Sequence, residues 1–240
     1  MESQTPSIAG QSALVTGGSR GIGFAVARRL GSMGAKVAIC ARDAQKLEES
    51  AAKLREEDIA VLPVSADVSK AGDITRLIDQ VEKSMGPLDI LVNNAGIGLF
   101  KPGQQATEEE WDRVLDTNLK GVFLMCRAVA PSMIRRRTGH IVNISSLAGK
   151  NAFANGAVYC ASKWGLQGFS FCLAEDLRAH GIRVSVICPG SVATDFGKHE
   201  GKDVTKLLQP EDVAHAVAML VTQAPQSFVS ELLMRPTQKP

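Results

Sequence analysis

The chain has 240 residues, of which 45% are hydrophobic and 22% charged, and its formal net charge is +2. That length is enough for one large domain with a well-buried core. The nearly balanced charge argues against binding to nucleic acid or to a membrane surface through bulk charge. The N-terminus lacks the basic and apolar regions of a signal peptide, and no apolar run approaches the roughly 20 residues that span a bilayer. We therefore expect a cytoplasmic protein.

Cysteine and histidine show no pattern of a disulfide or metal site. The five cysteines are scattered and odd in number, and the four histidines lack the spacing of metal ligands. No metal is therefore expected. The one concentrated basic run, at 135–137, is predicted to be a solvated helix end, because Thr138 and Gly139 follow it at once.

Short apolar runs alternate along the chain with longer amphipathic stretches. The apolar runs are β-branched and continuous, as in strands covered on both faces of a parallel sheet, and they span 12–17, 36–40, 60–64, 89–94, 140–145, 183–188 and 227–234. Helices are predicted between them at 21–33, 44–57, 74–85, 108–137 and 157–180, with another from Pro210. This order predicts an α/β fold over residues 1–240: a single-domain Rossmann fold, with a doubly wound parallel sheet of about seven strands and helices on both faces.

A glycine-rich turn, TGGSRGIG at 16–23, follows the first predicted strand. Backbone N–H groups at the start of the next helix would bind a pyrophosphate there. The glycine spacing differs from the common G-x-G-x-x-G, so the prediction of a dinucleotide site depends on the position of the turn after the first strand.

The residues after the second strand indicate which dinucleotide is bound. NAD-binding chains usually carry an acidic residue there for the ribose hydroxyls. Here Ala41 and Arg42 end the strand, and Arg20 lies in the glycine turn. Two arginines suit a 2′-phosphate, whereas Asp43 is better explained as the cap of the next helix. The sequence therefore predicts NADP(H) in preference to NAD(H).

The ordered motifs of this chain resemble those of the classical short-chain dehydrogenases/reductases. Besides the glycine turn, they are ADVS at 66–69, NNAG at 93–96, DTNLKG at 116–121, NISS at 143–146, YCASK at 159–163 and PGSVAT at 189–194. The resemblance covers nearly the whole chain, from Gly10 to about Pro236. It implies an NADP-dependent oxidoreductase acting on CH–OH groups, similar to the carbonyl, hydroxy-acid and β-ketoacyl reductases.

The resemblance also assigns roles to matching positions. The catalytic tetrad of the family matches Asn118, Ser146, Tyr159 and Lys163, where Asn118 holds a water that relays protons to Lys163. Together with the arginines above, the expected cofactor-binding residues are Gly17, Ser19, Arg20, Gly21, Ile22, Gly23, Arg42, Asp67, Val68, Asn93, Asn94, Ala95, Gly96, Tyr159, Lys163, Pro189, Gly190, Val192 and Thr194. Asp67 and Val68 are expected beside the adenine, and the last four residues on the nicotinamide side.

The spacing of Tyr159 and Lys163 has a chemical reason. Four residues apart in a predicted helix, the two side chains share one face. A tyrosine with a pKa of about 10 donates sluggishly near neutrality, and a nearby cation lowers that pKa. Tyr159 is therefore predicted to be the general acid/base, with Ser146 hydrogen-bonded to the carbonyl oxygen. Taken alone, a packing role for Tyr159 and a surface role for Lys163 are the alternatives.

Several functions stay open from sequence. Within the enzyme class the alternative is a β-ketoacyl thioester reductase of fatty-acid synthesis, which needs a basic patch for an acidic carrier protein, with Arg127 and residues 135–137 as candidates. A non-catalytic dinucleotide sensor and an assembly protein are alternatives of other classes. The substrate is expected to be a small carbonyl or alcohol compound, met by the loops 97–105, 148–155 and 191–208. The resemblance implies a homotetramer, or a homodimer.

Overall fold

Seven parallel strands form one sheet in the order β3-β2-β1-β4-β5-β6-β7. The computed structural model describes residues 7–196 and 203–238. The strands are β1 Ser12–Thr16, β2 Lys36–Ala41, β3 Val61–Ser65, β4 Ile90–Asn93, β5 Gly139–Ile144, β6 Ile182–Pro189 and β7 Glu231–Met234. The predicted doubly wound parallel sheet is confirmed.

Helices cover both faces of the sheet. They are α1 Gly21–Ser32, α2 Ala44–Arg55, α3 Ala71–Met85, α4 Glu108–Leu115, α5 Gly121–Arg136, α6 Ala157–Arg178 and α7 Pro210–Val221. One hydrophobic core joins α1, α2 and α7 to the sheet, and a second joins α3, α5 and α6 to it. Since both faces are buried, the strands read as continuous apolar runs rather than alternating ones. No helix in the described ranges has the length and hydropathy needed to cross a bilayer.

The structure confirms two predicted helix starts and changes some boundaries. Asp43 caps α2 by accepting a hydrogen bond from the backbone N–H of Lys46 at 3.1 Å, and Thr107 and Glu110 form a capping box at the start of α4. The predicted helix over 108–137 is interrupted by a π-helical turn, Asp116–Lys120, which separates α4 from α5. The turn was not predicted from the sequence, because π-helical segments are rare and occur mostly as single turns inside α-helices.

The chain order reverses at β1, which pairs with β2 on one side and with β4 on the other. The connections after β1 and β4 therefore leave the sheet in opposite directions. A crevice opens between them at the carboxyl ends of the strands, which is the usual ligand position in doubly wound sheets.

The basic run at 135–137 is not simply solvated, so that prediction was wrong in part. The Nη1 of Arg136 lies 2.7 Å from Oδ1 of Asp89, and both side chains are largely covered. Arg136 also donates to the carbonyl oxygen of Leu88. Arg137 ends α5 in the left-handed conformation, with φ of 53°. The run thus ties α5 to the entry of β4, at the amino-terminal edge of the sheet and away from the crevice.

One buried histidine, His140, lies at the start of β5 and is 1% exposed. Its Nε2 is 2.9 Å from Oγ of Ser185, and that hydroxyl donates to the carbonyl oxygen of Val229 at 2.7 Å. Among the residues that the structure describes, none forms a hydrogen bond with the ring Nδ1. Burial first, and then the charge of Arg183, lower the pKa of His140 to about 3.

We expect His140 to make the fold sensitive to acid. Its folded pKa lies below the ordinary value of about 6.5, so the unfolded chain takes up the proton first and stability is lost as pH falls below that value. Between about pH 6.5 and pH 4.5 the loss from this group is about 2 kcal/mol. Urea unfolding of the wild type and of His140→Gln at both pH values measures it. Equal losses in the two proteins would contradict the assignment.

Candidate active site

A cleft of about 710 Å³ lies at the carboxyl ends of the strands, where the chain order reverses. Its walls come from the turns after β1, β2, β3, β4 and β5, from α6 and from the segment after β6. The expected residues that line it are Gly17, Ser19, Arg20, Gly21, Ile22, Arg42, Asp67, Val68, Asn94, Ala95, Gly96, Tyr159, Lys163 and Thr194. Most of the predicted site is therefore brought together in one cavity.

The glycine turn forms one wall of the cleft. Gly17 and Gly21 have φ of +67° and +53°, a backbone region that L side chains rarely adopt. Gly23 does not line the cleft but packs α1 against the turn, since a Cβ there would lie 2.2 Å from the carbonyl oxygen of Gly17. The helix starts at Arg20 without a side-chain cap. Its first backbone N–H groups thus have no capping side chain and face the site where an anion would bind.

Asn94 connects the glycine turn to the end of β4. Its Nδ2 donates to the carbonyl oxygens of Thr16 and Gly17, at 2.9 and 3.3 Å. The hydroxyl of Thr16 in turn accepts from the backbone N–H groups of Asn94 and Ala95, each at 3.0 Å. Asn93, also expected at the cofactor, instead lies inside the sheet and donates to Oδ1 of Asn143 at 2.9 Å. Because strand residues alternate sides, the neighbour Asn94 reaches the cleft and Asn93 does not.

Three cations lie around one end of the cleft. Arg20, Arg42 and Lys46 all line it, together with Asp43. Asp43 is engaged by the α2 cap and by Nζ of Lys46 at 3.5 Å. Arg20 lies 3.6 Å from Asp195 across the mouth, and both side chains are mostly exposed. This end of the cavity therefore has a net positive charge.

Asp67 occupies the neighbouring wall after β3. The backbone N–H and hydroxyl of Ser69 both donate to its Oδ1, at 3.0 and 2.8 Å. Its own backbone N–H donates to Asp73 at 2.9 Å. The carboxylate is held in one orientation at the cleft, with Val68 beside it.

Tyr159 lies at the other end of the cleft and is 7% exposed. Its ring packs against Phe100 and Phe196, with centroid separations of 5.4 and 5.7 Å. Burial raises the pKa of Tyr159 to about 12, and a hydrogen bond with Ser146 opposes the rise. Ser146 is not itself a lining residue, but its hydroxyl also accepts from the backbone N–H of Ala148 at 3.1 Å. The phenol and this hydroxyl are thus adjacent.

Lys163 is buried beside the tyrosine at 4% exposure. Its Nζ donates to the carbonyl oxygen of Ile144 at 2.9 Å and lies 5.9 Å from the Tyr159 ring centroid. Burial lowers the pKa of Lys163 to about 8. The expectation that this lysine brings the pKa of Tyr159 below its ordinary value is not met, because burial of the phenol outweighs a cation held at that distance.

Asn118 lies in the π-helical turn and is wholly buried. Its Nδ2 donates to the carbonyl oxygen of Ile97 at 2.8 Å and to Oγ of Ser162 at 3.0 Å. Its Oδ1 accepts from the backbone N–H of Ile97 at 2.8 Å. Asn118 does not line the cleft; its side chain fixes the strand-to-loop segment after β4 against α6. A π-turn at such a position is common at functional sites.

The segment after β6 contributes less of the cleft than expected. Pro189 ends the strand, Gly190 donates to the carbonyl oxygen of Met234 at 2.9 Å, and Val192 bridges Leu208. None of these three lines the cavity, whereas Thr194 does, with its methyl group 3.2 Å from the Cβ position of Gly21. Residues 197–202 of the expected substrate loop lie outside the described residues.

Sequence reasoning missed several lining residues: Cys40, Ala41, Asp43, Lys46, Ala66, Thr117, Ile144 and Ser145. Lys46 carried a usable signal, since it falls four residues after Arg42. Ile97, Asp195 and Phe196 lie in the loops expected at the substrate, and they line the cleft. Phe100, in the first of these loops, is 48% exposed and lies against Tyr159. Within the described residues, no cluster of three metal-ligating side chains occurs.

The fold and cleft define a doubly wound α/β protein of the dinucleotide-binding type. The chain belongs to the short chain dehydrogenase family, whose sequence profile matches residues 11–205. An uncharacterized oxidoreductase of Staphylococcus saprophyticus is 34% identical over 225 residues, covering 93% of this chain and 96% of the relative. The chain is thus an oxidoreductase of this family.

Two solved structures give the same assignment. A metagenomic short-chain oxidoreductase in complex with NADP is 45% identical, with a TM-score of 0.86, over 97% of this chain and 99% of that one. A variant of actinorhodin polyketide ketoreductase with NADPH is 34% identical, with a TM-score of 0.88, over 93% of this chain and 95% of that one. The whole chain, not one segment, matches both.

Proposed function

We propose that this protein is an NADP(H)-dependent carbonyl reductase that interconverts a ketone or aldehyde and an alcohol. The observation that carries the proposal is the joint burial of Tyr159 and Lys163 at one end of the cleft, with Ser146 against the phenol. Burying a phenol and an ammonium together is costly for a structural purpose and is expected for an acid/base site.

The cleft fits a dinucleotide, and its charge fits the phosphorylated one. Gly17 and Gly21 line the cleft at the start of α1, and their positive φ values shape a turn whose backbone N–H groups suit a pyrophosphate. Arg20, Arg42 and Lys46 supply charge for a 2′-phosphate, while Asp43 is engaged as a cap. The NADP and NADPH complexes of the two similar structures support the same choice.

The side chains at the other end supply proton transfer and positioning. When bound, NADPH supplies the hydride for the carbonyl carbon. Tyr159 donates its proton to the carbonyl oxygen, and the high pKa of Tyr159 keeps the phenol protonated for reduction near neutrality. Ser146 holds the same oxygen and the charge that develops on it. Lys163, held by the carbonyl group of Ile144, places a positive charge next to the phenolate that remains.

The alternative is a ketoreductase acting on β-ketoacyl thioesters, for which the similarity to actinorhodin polyketide ketoreductase speaks. The positions and partners of the basic residues that could bind an acidic carrier protein argue against this alternative. Arg136 is paired with Asp89, and the run at 135–137 precedes β5, at the sheet edge opposite the cleft. Arg127 is engaged with the ring of Phe123 at 5.5 Å. A non-catalytic sensor would not need the buried Tyr159 and Lys163.

We propose a homo-oligomer of this single-domain chain, a tetramer or a dimer, in the cytoplasm. The supporting feature is an aromatic surface on α5 and α6, where Phe123 is exposed and packs edge-on against Phe169 at 6.2 Å. Exposed aromatic groups of this size favour burial against another chain.

Replacing Tyr159 by phenylalanine tests the catalytic assignment. We expect ketone reduction to fall by about a hundred- to ten-thousand-fold, because the proton donor is lost. The dissociation constant for NADPH should change by less than about twofold, since the ring and its packing remain. Absorbance of NADPH with a panel of keto acids, diketones, quinones and ketoacyl thioesters measures turnover. Unchanged turnover in the variant would rule out Tyr159 as the acid.

The pH dependence of reduction tests Lys163. Its pKa of about 8 means that the side chain is charged below that pH and neutral above it. Tyr159 stays protonated across this range because its pKa is about 12. We expect kcat/KM for the ketone to be flat near neutrality and to fall above about pH 8, approaching tenfold per unit. Circular dichroism over the same range controls for unfolding. A rate that holds constant to about pH 10 would contradict the assignment.

Alanine variants of Arg42 and Lys46 test the cofactor preference. Each should raise the dissociation constant of NADPH by about tenfold, because a charged hydrogen bond to the 2′-phosphate is lost. The constant for NADH should stay unchanged. Lys53→Ala, at the far end of the same helix, is the matched control. Equal effects on both dinucleotides would show that the 2′-phosphate does not bind here.

A further inference from the structure

Three exposed phenylalanines surround the candidate acid/base, one from each of three loops. Phe100 follows β4, Phe153 precedes α6, and Phe196 follows β6; they are 48%, 47% and 43% exposed. The chain has only eight phenylalanines, so three exposed ones at one place make up a large share of the total. Contiguous exposed apolar groups on a soluble surface mark a binding site more often than chance. We call these three rings the aromatic vestibule.

The rings of the vestibule are arranged against one another and against Tyr159. Phe100 lies edge-on to Tyr159 at 5.4 Å, and Phe196 lies tilted to it at 5.7 Å. Phe153 packs on Phe100 with a centroid separation of 6.3 Å. All three separations lie in the range of interacting aromatic pairs, and the edge-on pair of Phe100 and Tyr159 has a preferred geometry. The vestibule is therefore a continuation of the packing around the reacting phenol.

Two glycines of the adjoining loops lie close to the rings of the vestibule. A Cβ at Gly98 would lie 2.7 Å from the ring of Phe100 and 3.3 Å from that of Phe196. A Cβ at Gly156 would lie 2.6 Å from the ring of Phe153. The absence of a Cβ at these two glycines thus allows the rings to approach the backbone closely. A larger residue at either position would displace a ring of the vestibule.

The charges near the vestibule do not favour an anionic ligand. Lys101, next to Phe100, is paired with Glu110 at 2.6 Å, and Lys150, three residues before Phe153, is paired with Glu231 at 2.6 Å. Asp195, next to Phe196, lies 3.6 Å from Arg20. In each of these three described pairs the cation is already engaged, so none of them offers an unpaired positive charge to a substrate carboxylate.

We infer that the substrate is a neutral aryl ketone, a carbonyl group attached to a flat aromatic ring, whose ring lies in the vestibule while its oxygen meets Tyr159 and Ser146. The inference rests on the proposed function. In the reaction, the carbonyl carbon gains a hydride from NADPH and the oxygen gains the proton of Tyr159, which gives the aryl alcohol and NADP⁺. Aliphatic thioesters and keto acids would use the vestibule poorly, since they offer no ring or carry a charge.

Binding tests the vestibule separately from turnover. Acetophenone and cyclohexyl methyl ketone share their carbonyl and carbon number but differ in the flat ring. Both are titrated calorimetrically into the Tyr159→Phe variant saturated with NADPH, which removes the proton donor. We expect acetophenone to bind about tenfold more tightly, as stacking on two or three rings implies. Equal affinities would overturn the inference.

Leucine variants test which rings of the vestibule produce the preference for acetophenone over cyclohexyl methyl ketone. In the same background, Phe153→Leu and Phe196→Leu should each reduce the ratio of the two affinities by about three- to fivefold, because one ring contact is lost. Phe153→Tyr keeps a ring and should keep the ratio. Phe123→Leu, an exposed phenylalanine on α5, is the control and should leave the ratio unchanged. A ratio unaffected by Phe153→Leu and Phe196→Leu would overturn the inference.

Turnover by the wild type completes the test. Ethyl benzoylformate should be reduced with a kcat/KM about tenfold or more above that of the benzoylformate anion, because the lysines beside the vestibule are already paired and do not compensate the charge of the anion. A higher kcat/KM for the anion would overturn the inference that the substrate is neutral. If no ketone is reduced but acetophenone still binds more tightly than cyclohexyl methyl ketone, the proposed function is wrong. The assignment of the vestibule as a site for a flat aromatic ring is then still supported.

Discussion

The hydrogen bonds between Asn94 and the end of β1 hold together the two halves of this site. At β1 the strand order reverses, so the connections after β1 and β4 lead to opposite faces of the sheet and leave a crevice between them. The amide of Asn94 and the hydroxyl of Thr16 bridge the gap with four contacts of 2.9 to 3.3 Å. Without that bridge, the glycine turn at one end and the loop that leads to Phe100 at the other would not keep a fixed separation. The cleft depends on this constraint more than on any single lining residue.

Burial then sets the chemistry at the far end of the cleft. The same desolvation raises the pKa of Tyr159 to about 12 and lowers the pKa of Lys163 to about 8, so the two values move apart. The phenol stays neutral and the ammonium is only weakly favoured, a combination suited to passing a proton to an alkoxide. Asn118 and Ser162 support the arrangement from behind, because they fasten the loop after β4 to the helix that carries both groups.

The two ends of the cleft differ in character. The end near Arg20, Arg42 and Lys46 is cationic and open, as a phosphate site should be. The end near Tyr159 is bordered by exposed rings, and its neighbouring lysines are paired. This polarity orients a dinucleotide along the sheet edge and presents an apolar surface to the second ligand. Family membership agrees with the first end, whereas the second end is formed by loops, which are the least constrained part of the fold.

The sequence by itself determined the sheet, most helix boundaries, the cap at Asp43 and most of the residues that line the cleft, because these depend on local periodicity and on short ordered motifs. Only the tertiary structure decided that Asn94 rather than Asn93 reaches the cleft, that Arg136 is paired, that burial overrides Lys163 at Tyr159, and that Phe100 is exposed. Each of these depends on which atoms from distant segments meet and on how much water they exclude. Neither the contacts between distant segments nor the water that they exclude can be read from the local sequence.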